Sequence, residues 1–181
     1  MELILILGPM KSGKSLELIS HFAPLKYTDR KFVLYQSTRN VRDGQIFTRD
    51  GMELSAKKVS SLKEALDQNF SVIGIDETHM FDEREADTIE QLLKRGTKII
   101  ASALDTDFQG KLFPIVKRLL ELGPKEVRYR RAACDDCRSP EAIYTQVLRG
   151  TVPVTQGISP SVPDDGTFNY KAVCRDCFVR G

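Results

Sequence analysis

Three groups of residues in this chain have types and spacings that chemistry requires. The first is Gly8-Pro9-Met10-Lys11-Ser12-Gly13-Lys14-Ser15. In a turn of this pattern successive backbone N–H groups point into one concavity, and the start of the next helix adds partial positive charge, so polyphosphate binds there. Gly8 and Gly13 permit backbone geometry that a Cβ would obstruct. Lys14 reaches the β- and γ-phosphates, and the Ser15 hydroxyl is a ligand for Mg²⁺. The second group is the adjacent pair Asp76-Glu77 at the end of an apolar run. Asp76 is placed to hold Mg²⁺ directly or through water, and so completes the ATP-binding set with residues 8–15. Glu77 projects toward the γ-phosphate, where a general base takes a proton from an attacking hydroxyl or water. The third group is a pair of C-x₂-C knuckles, Cys134-Cys137 and Cys174-Cys177. Four thiolates on two tight turns suit a tetrahedral, structural Zn²⁺. A redox pair is the other reading, and the gap between the knuckles is longer than the usual ribbon spacing.

The elements that must hold these groups alternate in type. Met1–Leu7 is an apolar strand buried on both faces, and Leu16-Glu17-Leu18-Ile19 opens a helix that ends near Pro24. Further strands are predicted at Lys31–Tyr35, Ser71–Glu77, Thr97–Leu104 and Lys125–Arg130. Helices are predicted at Asp82–Arg95, closed by Gly96, and from Pro114 to Leu122. Ser60-Ser61-Leu62-Lys63-Glu64 reads as a capping box before a short helix. This order predicts an α/β fold: a phosphate-loop parallel sheet flanked by helices, with ligands at the carboxyl ends of the strands. Residues 1–130 form that nucleotide-binding domain and residues 131–181 a small zinc-ribbon domain. Two segments read as loops with a function. Gln36–Asp50 is polar and arginine-rich, a mobile active-site segment or a plain solvated loop. Thr151–Asn169 is rich in Pro and Gly and tied at its base by the metal.

Composition narrows the partners. The chain has 181 residues, 41% of them hydrophobic, and a formal net charge of +2. That is enough for a core and gives no strong pull toward nucleic acid or a membrane surface. No apolar run approaches a membrane span, and the apolar N-terminus runs straight into the phosphate loop rather than to a cleavage site. The expected location is the cytoplasm, where reduced cysteines favour metal ligation.

With these residues in place the chain resembles the type II thymidine kinase family, in which a phosphate-loop domain carries a zinc-bound lasso. The resemblance spans nearly the whole chain. It rests on G-P-M-x-S-G-K-[ST]-x-E-L at Gly8–Leu18, I-D-E at Ile75–Glu77, A-L-D-x-x-F-x-x-x-x-F at Ala103–Phe113, and both knuckles. It implies transfer of the ATP γ-phosphoryl to the 5′-hydroxyl of thymidine, with Glu77 as general base, and a homotetramer. It implies that Met10, Leu104, Phe108 and Phe113 enclose the thymine. Asn40, where the family usually has Asp, and Arg42 then lie near phosphate and sugar, and Tyr170 of the lasso lies near the sugar. Main-chain groups of the lasso would read the polar edge of the base. Three departures stand out. The family's D-E-x-Q-F is here Asp76-Glu77-Thr78-His79-Met80, so a thioether replaces an aromatic face beside the base. Val162-Pro163-Asp164-Asp165-Gly166 replaces V-x-I-G-G, and Asn40 replaces Asp. His79 is read as a supporting residue rather than a catalyst.

A reading from a different class sets the phosphate loop in an ATPase module whose zinc ribbon grips nucleic acid. It draws on Arg128, Arg130, Arg131, Arg138, Arg175 and Tyr129 around the knuckles, against Asp135, Asp136, Asp164 and Asp165 in the same region.

Overall fold

Alternating side-chain direction along the first strand explains the layering. In the computed structural model, which describes residues 2–40, 45–47, 53–159 and 166–180, β1 spans Leu3–Leu7 and is buried throughout. Its side chains divide by parity. Leu3, Leu5 and Leu7 join one core, and Ile4 and Ile6 join the other. The second core is closed by Leu18, Ile19 and Phe22 of α1 (Lys14–Phe22).

The chain then runs through β2 (Phe32–Ser37), β3 (Gln45–Phe47), β4 (Glu53–Ser55), β5 (Lys57–Val59) and β6 (Val72–Asp76). It continues through α2 (Glu85–Lys94), β7 (Lys98–Ala103), α3 (Pro114–Glu121) and β8 (Glu126–Tyr129). Six of these strands form one parallel sheet in the order β5-β2-β6-β7-β1-β8. The first core packs the other face of the sheet against α2, through Ala86, Ile89, Leu92 and Leu93, and against α3, through Ile115, Val116 and Leu119. The parallel strands all point their carboxyl ends to one edge, so the turns after β1, β6 and β7 meet there.

A second, smaller unit of packing follows. Here β9 (Tyr144–Arg149) pairs antiparallel with β10 (Val152–Pro153) and β11 (Asn169–Val173). Its own core holds Ala132, Cys134, Ala142, Ala172, Val173, Cys174 and Phe178. Tyr144 stacks on Phe178 with ring centroids 4.3 Å apart.

Four local expectations are corrected. Gln36 and Ser37 continue β2 rather than opening a loop, because Gln36 pairs in register with Asp76. Gln45–Phe47 forms a hairpin with Glu53–Ser55, and 41–44 and 48–52 lie outside the described residues. Ser61 does cap the turn at Leu62–Asp67, accepting from the Lys63 N–H at 3.2 Å, but Glu64 pairs with Lys57 instead of closing the box. The Leu62 N–H donates to Glu85 of α2, at 3.0 Å. Finally, α2 begins at Glu85, because Asp82 accepts from the Arg84 N–H and holds the preceding residues in a turn. Among the described residues no helix is long and apolar enough to cross a membrane.

Candidate active site

Between β1 and α1 the chain folds as a phosphate-binding turn for two steric reasons. Gly8 has φ 144°, and a Cβ there would lie 2.4 Å from the Arg130 carbonyl oxygen. That carbonyl cannot move away, because the Arg130 N–H is bonded to Leu7 O at 2.7 Å. Gly13 precedes α1 at φ 80°, a left-handed geometry that glycine adopts without cost. Inside the turn the Ser12 hydroxyl donates to Pro9 O (2.8 Å), as does Lys14 Nζ (2.6 Å).

Ser15, at the head of α1, reaches across to β6. Its hydroxyl donates to Asp76 Oδ1 at 3.0 Å. Asp76 also accepts from Gln36 Nε2 (3.1 Å, β2) and from the Ser102 hydroxyl (β7), so three strands converge on one buried carboxylate. Burial, and then the neighbouring Glu77 charge, raise its pKa above the ordinary carboxylate value. Gln36 and Ser102 carry no pattern of their own in the sequence. The available signal was polar residues near the ends of otherwise apolar strands.

Glu77 follows directly in a left-handed conformation, φ 51° and ψ 42°, which breaks the strand and turns its side chain from the sheet edge. It lines a cavity of about 230 Å³ together with Met10 to Ser15, Asn40, His79, Met80, Leu104 and Tyr170. Asp76 lies buried beneath this cavity, in contact with it through Ser15. Phe108 and Phe113 do not line it. They close a narrow crevice beside it, which shares His79, Leu104 and Tyr170 with the main cavity. Both phenylalanines sit on the Asp105–Phe113 turn, which Asp107 organises by accepting from the Gln109 and Lys111 N–H groups. Gln109 Nε2 in turn donates to Thr155 O, which ties this turn to the long loop. Asn40 is buried behind β2, and its carbonyl accepts from Lys58 Nζ at 2.8 Å. Arg42 and residues 162–165 fall outside the described residues.

The smaller unit reaches into this site in a way that the sequence did not suggest. Thr145 Oγ1 on β9 accepts from the Met10 N–H at 3.0 Å. Asp135, within the first knuckle, pairs with Lys11 Nζ at 2.9 Å and also accepts from the Ala172 N–H at 2.7 Å. Lys11 sits at φ 63°.

The four cysteine sulfurs all lie within 4.8 Å of one another, with Cys137 and Cys174 3.6 Å apart. A tetrahedron of Zn–S bonds of about 2.3 Å has edges of about 3.8 Å, so the cluster is compatible with zinc. The donor chemistry agrees. Burial opposes ionisation of Cys134, yet backbone N–H groups of Cys137, Cys174 and Asp136 bring its thiol down to about 6. Side-chain contacts with Cys174 and Cys137, and then burial, push Cys177 up to about 12.

Three of the five arginines around the knuckles pair with carboxylates. Arg128 pairs with Glu126 and Glu17, Arg130 with Glu17, and Arg131 with Glu141. These pairings reduce the charge that a polyanion could exploit.

The thymidine kinase family profile matches residues 1–178. The chain is 33% identical to a thymidine kinase of Mycoplasma capricolum subsp. capricolum, over 97% of this chain and 87% of the relative. It is 32% identical to that of Mycoplasma mobile (97% and 86%) and 30% identical to that of Thermococcus kodakarensis (94% and 90%). The turn, the acidic pair and the cysteine cluster thus occur in a chain matched almost from end to end, and the protein belongs to the thymidine kinase family.

Proposed function

We propose that this protein is an ATP-dependent thymidine kinase that transfers the γ-phosphoryl group to the thymidine 5′-hydroxyl, giving dTMP and ADP. The observation that carries the reading is that one cavity is lined by the phosphate turn, by Glu77 and by apolar side chains suited to a flat base. Residues 8–15 hold the triphosphate through backbone N–H groups and Lys14. Glu77 accepts the hydroxyl proton as the new O–P bond forms and the bond to ADP breaks. Met10, Met80 and Leu104 flank the base, Phe108 and Phe113 back it from the crevice, and Asn40, Arg42 and Tyr170 lie toward sugar and phosphate. Exclusion of water and alignment of the hydroxyl supply most of the rate in such transfers.

Two metals fit this arrangement. The Ser15 hydroxyl and the Asp76 carboxylate are hard oxygen donors that suit Mg²⁺. Held by these two residues, Mg²⁺ would offset the negative charge that develops during the transfer. Cys134, Cys137, Cys174 and Cys177 would hold a structural Zn²⁺. We divide the chain at residues 130 and 131, a division supported by the separate core around the cysteines. A homotetramer in the cytoplasm completes the reading, and light scattering of the purified protein reports the first of these.

The test is phosphate transfer from γ-labelled ATP across a panel of nucleosides. Label in thymidine monophosphate, less in deoxyuridine monophosphate and none in purine nucleosides supports the reading. ATP hydrolysis with no labelled nucleoside contradicts it.

A further inference from the structure

His79 is the buried titratable side chain of the cavity for which phosphoryl transfer, as set out above, has no use. The residue is 6% exposed, and its ring packs on Phe113 with centroids 4.8 Å apart. Nδ1 accepts from the Leu104 backbone N–H at 3.2 Å. A ring nitrogen that accepts carries no hydrogen, so the proton of the neutral ring is on Nε2. That nitrogen is 3.5 Å from Glu77 Oε2. Burial, with the Lys14 charge adding to it, pushes the imidazole down to about 3. At neutral pH the ring is therefore an uncharged donor facing a carboxylate.

Glu77 needs such a donor. It stands alone at a left-handed backbone position between the end of β6 and the turn at Thr78–Met80, where no strand ladder sets its direction. A contact of 3.5 Å is at the outer edge of hydrogen bonding, and contacts of this kind tighten when substrate binds. The opposite nitrogen holds the backbone of Leu104, which lines both the cavity and the crevice. One rigid ring thus spans the carboxylate and the wall of the base pocket.

We propose that His79 is a positioning residue, whose Nε2–H aims the Glu77 carboxylate at the acceptor hydroxyl while Nδ1 fixes the Leu104 backbone beside the base. This rests on the kinase reading, and the experiment separates the two. The chain has two histidines, so ¹⁵N-histidine NMR, assigned with a His21→Gln variant, reads the tautomer directly. A pyridine-type Nδ1 and a pyrrole-type Nε2 are expected for His79. A pyrrole-type Nδ1 overturns the proposal whatever the activity. In kinetics, His79→Leu loses both bonds and should lower kcat roughly 10–10²-fold, the scale of a small misalignment. Its KM for ATP should stay within about threefold, since the phosphate turn is untouched. His79→Gln has one acceptor and one donor on a planar amide and should recover most of the rate. Two variants with the kcat of the wild type, or two equally impaired and equally destabilised, make His79 a filler of space and overturn the role. A wild type that phosphorylates no nucleoside overturns the kinase reading, and the role with it.

Discussion

Glu77 and Asp76 are adjacent carboxylates in opposite surroundings, and the difference suits them to different work. Asp76 is enclosed by three donors and buried, whereas Glu77 opens onto the cavity from a strained backbone position. Glu77→Gln keeps the size and removes the proton acceptor, so single-turnover transfer should slow roughly 10²–10⁴-fold. ATP affinity, measured by calorimetry, should change little, because Asp76, Ser15 and the turn remain. A large loss of ATP affinity with normal chemistry would make Glu77 a ligand of nucleotide or metal. Met80 is the residue through which the base pocket is most open to redesign. It lines the cavity and is a flexible thioether where an aromatic face would stack. Met80→Phe should lower KM for thymidine by an amount equivalent to about 0.5–1.5 kcal/mol, with kcat nearly unchanged, because stacking is similar in ground and transition states.

At the scale of elements, what could be read in advance was whatever is local in the chain. The turn at Gly8–Ser15, the strand ending in Asp76-Glu77 and the two knuckles each fit within a dozen residues, and their neighbours fix their structure. The central strands were legible for the same reason, since each is built on a short apolar run. The antiparallel strands β9 and β11 were not. Tyr144–Arg149 and Asn169–Val173 mix apolar with polar side chains and gain strand structure only by pairing with each other across the long loop. Gln36, Ser102, Thr145 and Asp135 were invisible as site residues because their partners are distant in sequence. Thr145 and Met10 are 135 residues apart. This tie makes a prediction. Thr145→Val keeps the shape but leaves the Met10 N–H without its acceptor, which costs about 1–3 kcal/mol in a buried setting. Urea denaturation should show that loss, and KM for ATP should rise because the turn loosens. Unchanged stability together with unchanged KM would mean that β9 merely touches the phosphate turn.

For the molecule as a whole, the cysteine cluster and the cavity lined by Glu77 are joined by direct contacts. Asp135 lies between Cys134 and Cys137 and also holds Lys11 and the Ala172 backbone, so it joins the knuckle to the phosphate turn. Chelation of Zn²⁺ should therefore abolish transfer and weaken ATP binding, and stoichiometric Zn²⁺ should restore both. Retention of full ATP affinity by the stripped protein would show that the knuckle and the turn are independent. The same closeness is the basis of the central claim, that one cavity holds the triphosphate and the nucleoside end to end with Glu77 between them. The most direct measurement uses thymidine joined through its 5′-oxygen to adenosine by a polyphosphate bridge. Such a compound should inhibit competitively against both ATP and thymidine, and bind more tightly than either alone, because a single binding event fills both halves of the site. Inhibition competitive with ATP but not with thymidine would place the nucleoside elsewhere and contradict the account.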